Sequence, residues 1–186
     1  MTGTPCPIVD KAAPGSVETA AKILRQGLVA VLPTDTIYGF SGLFPDCGQA
    51  IRLIKGREEA KPFIRLIARG EDIFSHTHAA IPHNLLAHWP GPLTLVVPVG
   101  QSQSAAFRCP GDQWLRHVIA AVGRPIYSTS VNRAGNPPLI GSAAILREFG
   151  TQIALMVVDD SPGGPPSTIY DVLSDKVLRQ GAVNLS

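Results

Sequence analysis

Leu28-Val29-Ala30-Val31-Leu32-Pro33-Thr34-Asp35-Thr36 is the passage on which the architecture turns. Its apolar run, Leu28 to Leu32, has no polar break, which fits a strand buried on both faces rather than one with a wet side. Pro33 brings no N–H to a ladder, so the strand ends there and the chain enters the polar Thr34-Asp35-Thr36. A sheet buried on both faces needs helices to cover it. Upstream, Ser16 to Gln26 carries Val17, Ala20, Ala21 and Leu24 at helical spacing, with Ser16 expected as N-cap and Gly27 just past the end. Downstream, a helix from about Cys47 to Lys55 is expected, with Asp46 as cap, Ala50, Ile51 and Ile54 on one face, and Gly56 at its stop.

Working further outward, Phe63 to Ala68 reads as a strand, and Pro82 with Leu85, Leu86 and Trp89 as a short helix before the turn Pro90-Gly91-Pro92. Strands are expected at Leu93 to Val99, Pro125 to Thr129 and Ile153 to Val158, and helices at Asp112 to Val122 and Ser142 to Phe149. After a Gly/Pro loop from Ser161 to Pro166, two short strands fall near Ile169 and Leu178. Helices and strands alternate throughout, which predicts an α/β fold with a mixed, largely buried sheet flanked by helices. No composition break marks a second unit, so residues 1–186 read as one domain with residues 1–13 as an N-terminal tail.

The 45% apolar and 16% charged content belongs to a chain that packs a core. No apolar run approaches the roughly 20 residues of a membrane span. Met1 to Ala13 holds Pro5, Pro7, Asp10 and Lys11 rather than a secretory apolar core, so a cytoplasmic location and no membrane partner are expected. Cys6, Cys47 and Cys109 lack the spacing of a zinc or redox motif and read as reduced thiols. A net charge of +2 does not by itself announce nucleic acid.

Neither a Gly-x-x-x-x-Gly-Lys-Ser/Thr nor a Gly-x-Gly-x-x-Gly motif is present, so any phosphate would have to be met by side-chain cations and hydroxyls. These gather at element ends. Lys55, Arg57 and Lys61 follow the second helix, where they either complement its dipole or clamp an anion. Thr34-Asp35-Thr36 is either an Asx turn or a ligand contact. Ser128, Thr129, Ser130 and Asn132 set hydroxyls and an amide at another strand end, and no acid or histidine in that segment supports a nucleophilic serine. Taken alone, Arg108 and Arg179 each read first as ordinary surface arginines and second as contacts, and Ser167 as a strand start or a nucleotide contact. Four histidines, His76, His78, His83 and His88, lie close in sequence, but His83 and His88 diverge on a helix, so no metal site is expected.

Taken in order, Pro33-Thr34-Asp35-Thr36-Ile37-Tyr38-Gly39, Lys55-Gly56-Arg57 with Lys61-Pro62, Pro90-Gly91-Pro92-Leu93-Thr94, Ser128-Thr129-Ser130-Val131-Asn132, Ser167-Thr168-Ile169-Tyr170-Asp171 and Leu178-Arg179-Gln180-Gly181 resemble the YrdC-like family of threonylcarbamoyl-AMP synthases. The resemblance runs from about Ser16 to Val183. It implies an open, twisted α/β domain with a concave basic groove. In that groove Lys55, Arg57, Ser130 and Asn132 would be catalytic. Thr34, Arg108 and Ser128 would hold L-threonine, and Lys55, Lys61, Ser130, Ser167 and Arg179 would hold ATP. The implied reaction joins L-threonine, bicarbonate and ATP, with Mg²⁺ bound through the phosphates, and serves modification of adenosine 37 in tRNA. Contact with tRNA and a downstream threonylcarbamoyl-transferase are the partners it suggests. The resemblance gives Pro137-Pro138-Leu139-Ile140 no ligand role, and it does not lead one to expect the C-terminal domain of longer relatives. Two other classes stay open: a non-catalytic RNA-binding module, and a carbamoyl- or acyl-adenylate enzyme with another substrate. A phosphate-tracking surface alone would not call for the hydroxyls and amide of Ser130 and Asn132.

Overall fold

Where apolar runs are cut by turn residues, elements begin and end close to expectation. The computed structural model describes residues 6–56, 62–159 and 164–185. In chain order these hold β1 (Ile8–Asp10), α1 (Ser16–Arg25), β2 (Ala30–Leu32), β3 (Gly39–Leu43), α2 (Gly48–Lys55), β4 (Ile64–Leu66), α3 (His83–Leu86), β5 (Leu93–Val99), β6 (Gln103–Arg108), α4 (Gln113–Val122), β7 (Ile126–Ser130), α5 (Ser142–Phe149), β8 (Leu155–Val158), β9 (Thr168–Asp171) and β10 (Lys176–Arg179). A 3-10 turn, Gly70–Ser75, lies between β4 and α3.

The caps differ from the sequence reading in an informative way. Ser16 does not cap α1; Gly15 does, and the Ser16 hydroxyl donates to the Lys11 carbonyl at 2.7 Å and accepts from Trp114 Nε1 at 2.8 Å. Asp46 does not cap α2 but pairs with Arg124 at 2.5 Å. Asp112 does cap α4, accepting from the Leu115 N–H at 2.9 Å. Within the stretch expected as an N-terminal tail, the described residues include a strand. β1 adds parallel to β8, and Lys11 places its ammonium between Asp112 (2.5 Å) and Asp159 (2.6 Å).

The ten strands form one mixed sheet in the order β1-β8-β2-β3-β7-β4-β6-β5-β9-β10. One apolar cluster packs α1, α2, α4 and α5 against β2, β3, β7 and β8, with Leu24, Phe40, Ile51, Leu115, Phe149 and Met156 fully buried. Phe40 meets Phe149 edge to face, ring centres 4.9 Å apart. A second cluster gathers on β5 and β6 around Leu93, Leu95, Val97 and Phe107, closed by Leu85 of α3 and Ile73 of the 3-10 turn. Each such aliphatic side chain contributes about 1.5–3 kcal/mol by burial.

Register decides what the sheet shows on its concave side. Ser41 lies opposite Ser128, and Gly39 opposite Ser130, across β3 and β7. Ser128 in turn lies opposite Ile64 of β4, Val96 of β5 opposite Ala106 of β6, and Thr94 opposite Ile169 of β9. Side chains alternate along each strand, so these residues share one face. Small and hydroxylated residues there leave a hollow where bulky ones would fill it.

Candidate active site

That hollow is a groove of about 660 Å³, walled by the ends of β3, β7, β6, β9 and β10. Thr34, Arg108, Ser128, Ser130, Ser167 and Arg179 all line it. These six of the sequence-predicted residues therefore converge from segments far apart in the chain. Among the described residues, none of the helices is long and apolar enough to cross a membrane.

Arg108 ends β6 and is only 5% exposed. Its Nε donates to the Gly91 carbonyl at 3.1 Å, Nη1 donates to Thr36 Oγ1 at 3.1 Å, and Nη2 donates to the Asp35 carboxylate. A buried charge has to be paired and hydrogen-bonded, and this one is. The turn that holds it is organised by Thr34: its hydroxyl accepts from the Thr36 N–H at 3.0 Å and donates to the Ile37 carbonyl at 2.8 Å. The turn bond comes from Thr34, while Asp35 reaches across to Arg108, which replaces the Asx-turn reading of this segment.

On the opposite wall, Ser167 is buried, its Oγ shares a hydrogen bond with Thr94 Oγ1 at 2.8 Å, and Arg179 donates through Nη2 to the Ser167 carbonyl at 2.7 Å and to its Oγ at 3.2 Å. Partial burial, and after it the charge of Arg108, hold the Arg179 guanidinium below its ordinary pKa. Two guanidinium groups that sense each other across a groove create a place for an anion.

Lys55 departs from expectation. Its predicted setting is the exposed end of a helix, yet it is 2% exposed. Its ammonium donates to the Ser130 carbonyl at 2.5 Å, the Asn132 carbonyl at 3.1 Å and Asn132 Oδ1 at 2.9 Å. An ammonium has three donors, so three protein acceptors account for them. Asn132 is equally engaged, its Oδ1 also accepting from Ser130 Oγ at 2.6 Å and its Nδ2 donating to the carbonyls of Arg133 and Asn136 at 2.8 and 2.7 Å. The predicted meeting of Lys55 with Ser130 and Asn132 is present, but it lies behind the groove wall, with Ser130 as its member in the groove. Arg57 and Lys61 lie outside the described residues.

Several contributors were not read from sequence. Thr94, on the groove face of β5, is visible only once register is known, and Thr36, read from sequence only as part of a turn or ligand contact, proves to be a buried hydroxyl that accepts from Arg108. Pro138, from the stretch given no ligand role, lines the groove. The cysteines offer no nucleophile there: burial pushes the Cys109 thiol up to about 11, and Cys6 and Cys47 are raised for the same reason. His83 begins α3, which ends at Leu86 before His88, while His76 stacks on Phe107 with ring centres 5.0 Å apart. Among the described residues no group of three or more His, Cys, Asp or Glu side chains could hold a metal.

Comparison with known proteins agrees with this geometry. The family model Sua5/YciO/YrdC, described as "Telomere recombination", matches residues 22–181. The threonylcarbamoyl-AMP synthase of Chromohalobacter salexigens is 35% identical over 182 residues, covering 88% of this chain and 96% of that protein. The threonylcarbamoyl-AMP synthase of Sodalis glossinidius is 32% identical over 177 residues, covering 85% and 92% respectively. The structure of P. abyssi Sua5 complexed with L-threonine aligns with a TM-score of 0.85 at 28% identity over 98% of this chain, which spans 59% of that one. E. coli YciO shares the fold, with a TM-score of 0.83 at 21% identity, over 100% of this chain and 98% of that one. A match over nearly the whole of a sheet whose groove gathers these hydroxyls and arginines leaves one conclusion: the chain belongs to the Sua5/YciO/YrdC family.

Proposed function

We propose that this protein is an L-threonylcarbamoyladenylate synthase, a nucleotidyltransferase that joins L-threonine, bicarbonate and ATP and releases pyrophosphate. The observation that carries the reading is the convergence of Arg108 and Arg179 on one hydroxyl-lined groove, since the reaction must hold two anionic substrates side by side. The likeness to threonylcarbamoyl-AMP synthases over most of the chain supports the substrate assignment.

In this reading Arg108, Thr34 and Ser128 hold threonine. Its amine forms an N–C bond to the carbon of bicarbonate, water is lost, and a carbamate results. A carbamate oxygen then attacks the α-phosphorus of ATP, the bond from that phosphorus to the α,β-bridging oxygen breaks, and pyrophosphate leaves with the electron pair. Ser130, Ser167 and Arg179, with Lys61, meet the nucleotide. Lys55, together with Arg57, Ser130 and Asn132, forms the catalytic wall, and its burial gives it the task of fixing the Ser130–Asn132 strand end. Mg²⁺ would neutralise charge on the phosphates, through which it would be held with few protein ligands. The product would serve threonylcarbamoyl modification of adenosine 37 in tRNA through a downstream transferase, in the cytoplasm.

Incubating the purified protein with ATP, Mg²⁺, bicarbonate and threonine, followed by mass spectrometry, tests this. Threonylcarbamoyl-AMP and pyrophosphate in equal amounts are expected. ATP turnover indifferent to threonine would favour another acyl or carbamoyl substrate, and no turnover with salt-sensitive RNA binding would favour a binding module.

A further inference from the structure

Asp35 stands just behind the groove wall, and both of its carboxylate oxygens are engaged. Oδ1 accepts from Arg108 Nη2, and Oδ2 accepts from the Gly111 N–H at 2.9 Å. Gly111 follows closely on Arg108 at the end of β6 and directly precedes Asp112, the N-cap of α4, so Asp35 is anchored to a rigid element. A methyl group at Gly111 would lie 3.0 Å from Asp35 Oδ2, and glycine is what admits the carboxylate. Among the described residues, Arg108 spends three of its five N–H donors on Gly91, Thr36 and Asp35. One N–H remains on each terminal nitrogen.

We propose that Asp35 is the specificity-determining positioning residue for Arg108: it fixes the guanidinium's orientation and offsets its charge, so that a singly charged carboxylate is accepted and the more highly charged phosphate is disfavoured. This rests on the reading that Arg108 receives the threonine carboxylate. Carboxylate and phosphate can each use two oriented guanidinium N–H donors, but phosphate brings up to about two negative charges against one, so the Asp35 carboxylate beside the seat repels it more. The groove offers its less compensated cation elsewhere, at Arg179, whose guanidinium contacts are to the neutral oxygens of Ser167. Asp35 thus separates the amino-acid end from the phosphate end and prevents pyrophosphate or free phosphate from occupying the amino-acid seat.

Asp35→Asn tests charge apart from shape, because the amide oxygen can still accept one of the two hydrogen bonds. In steady-state assays with ATP, Mg²⁺ and bicarbonate, inorganic phosphate is expected to compete with threonine in Asp35→Asn, raising its apparent KM about tenfold at millimolar phosphate, with kcat within about twofold and the KM for ATP unchanged. Wild type should show no such competition. Gly111→Ala, which crowds Oδ2 without altering charge, should raise the KM for threonine without creating phosphate competition, and it serves as the second variant if Asp35→Asn folds poorly. Thermal melting with phosphate carries the same comparison without turnover: phosphate bound at the Arg179 end stabilises both proteins, and it should raise the Tm of Asp35→Asn by clearly more than that of wild type. Equal phosphate effects on wild type and Asp35→Asn, in kinetics or melting, would overturn the proposal, as would an unchanged threonine KM in Gly111→Ala. If wild type makes no threonylcarbamoyl-AMP, the functional reading fails, while the melting comparison still decides the role of Asp35.

Discussion

Gly39 and Ser128 sit diagonally across the β3–β7 pair, and a methyl group on Gly39 would stand 2.6 Å from the Ser128 hydroxyl. That hydroxyl is a side-chain end and can rotate away, so Gly39→Ala should fold with a Tm within a few degrees of wild type. The groove would lose a hydroxyl contact to the substrate, a loss of about 0.5–1.5 kcal/mol, or roughly two- to tenfold in kcat/KM for threonine. Thermal melting and steady-state kinetics on the same sample check both halves; a severe loss of stability with normal kcat/KM would contradict the arrangement.

Lys55→Met should destabilise the fold as well as slow the reaction. The substitution leaves the Ser130 carbonyl, the Asn132 carbonyl and Asn132 Oδ1 without their shared donor in a buried setting. Leaving buried acceptors unsatisfied costs about 1–3 kcal/mol each before relaxation, so a net loss on the order of 2–4 kcal/mol is expected. Urea denaturation reads it directly. An unchanged midpoint would return Lys55 to the role of a solvated phosphate clamp.

These two residues also show what was legible in sequence. β5 and α5 begin and end where their apolar patterns and turn residues place them, because local chemistry decides those boundaries. β3, Gly-Phe-Ser-Gly-Leu, was not read as a strand: two glycines and a serine carry little strand propensity, and only pairing with β2 and β7 makes it one. β6, Gln-Ser-Ala-Ala-Phe-Arg, is missed for the same reason. In the site, hydroxyls and arginines at strand ends could be named individually. The burial of Lys55 and the reach of Asp35 to Arg108 could not, because both depend on segments more than seventy residues away.

His76 gives a pH signature. Burial first, and the nearby Arg65 second, hold its imidazole below the ordinary value of 6.5. The folded state therefore prefers the neutral ring, and the contribution is fully present above pH 6.5 and lost as pH falls through the depressed folded value. His76→Gln should remove that dependence. The stability difference between wild type and variant, from urea midpoints at pH 7.5 and 5, should shift against wild type at the lower pH; a pH-independent difference would refute it.

Substrate choice tests the hydroxyl-lined wall. Serine keeps the threonine hydroxyl and loses one methyl, so it should be a weaker but detectable substrate, discriminated by about 1–3 kcal/mol. Valine keeps the shape without the hydroxyl and should be worse than serine, because the groove's own polar groups are left unpaired. Pyrophosphate release measured with the three amino acids decides it, and equal rates for valine and threonine would mean that the site reads shape alone.

Strand order has a consequence for synthesis on the ribosome. β9, directly after Ser167, and β10, which carries Arg179, are made after the other described strands and add at one edge of the sheet. A nascent chain halted before residue 176 can hold Thr34, Arg108 and Ser128 but has no Arg179 to face them. Translation thus imposes an order on the groove: the wall containing Arg108 emerges first, and Arg179 faces it only once β10 has paired with β9.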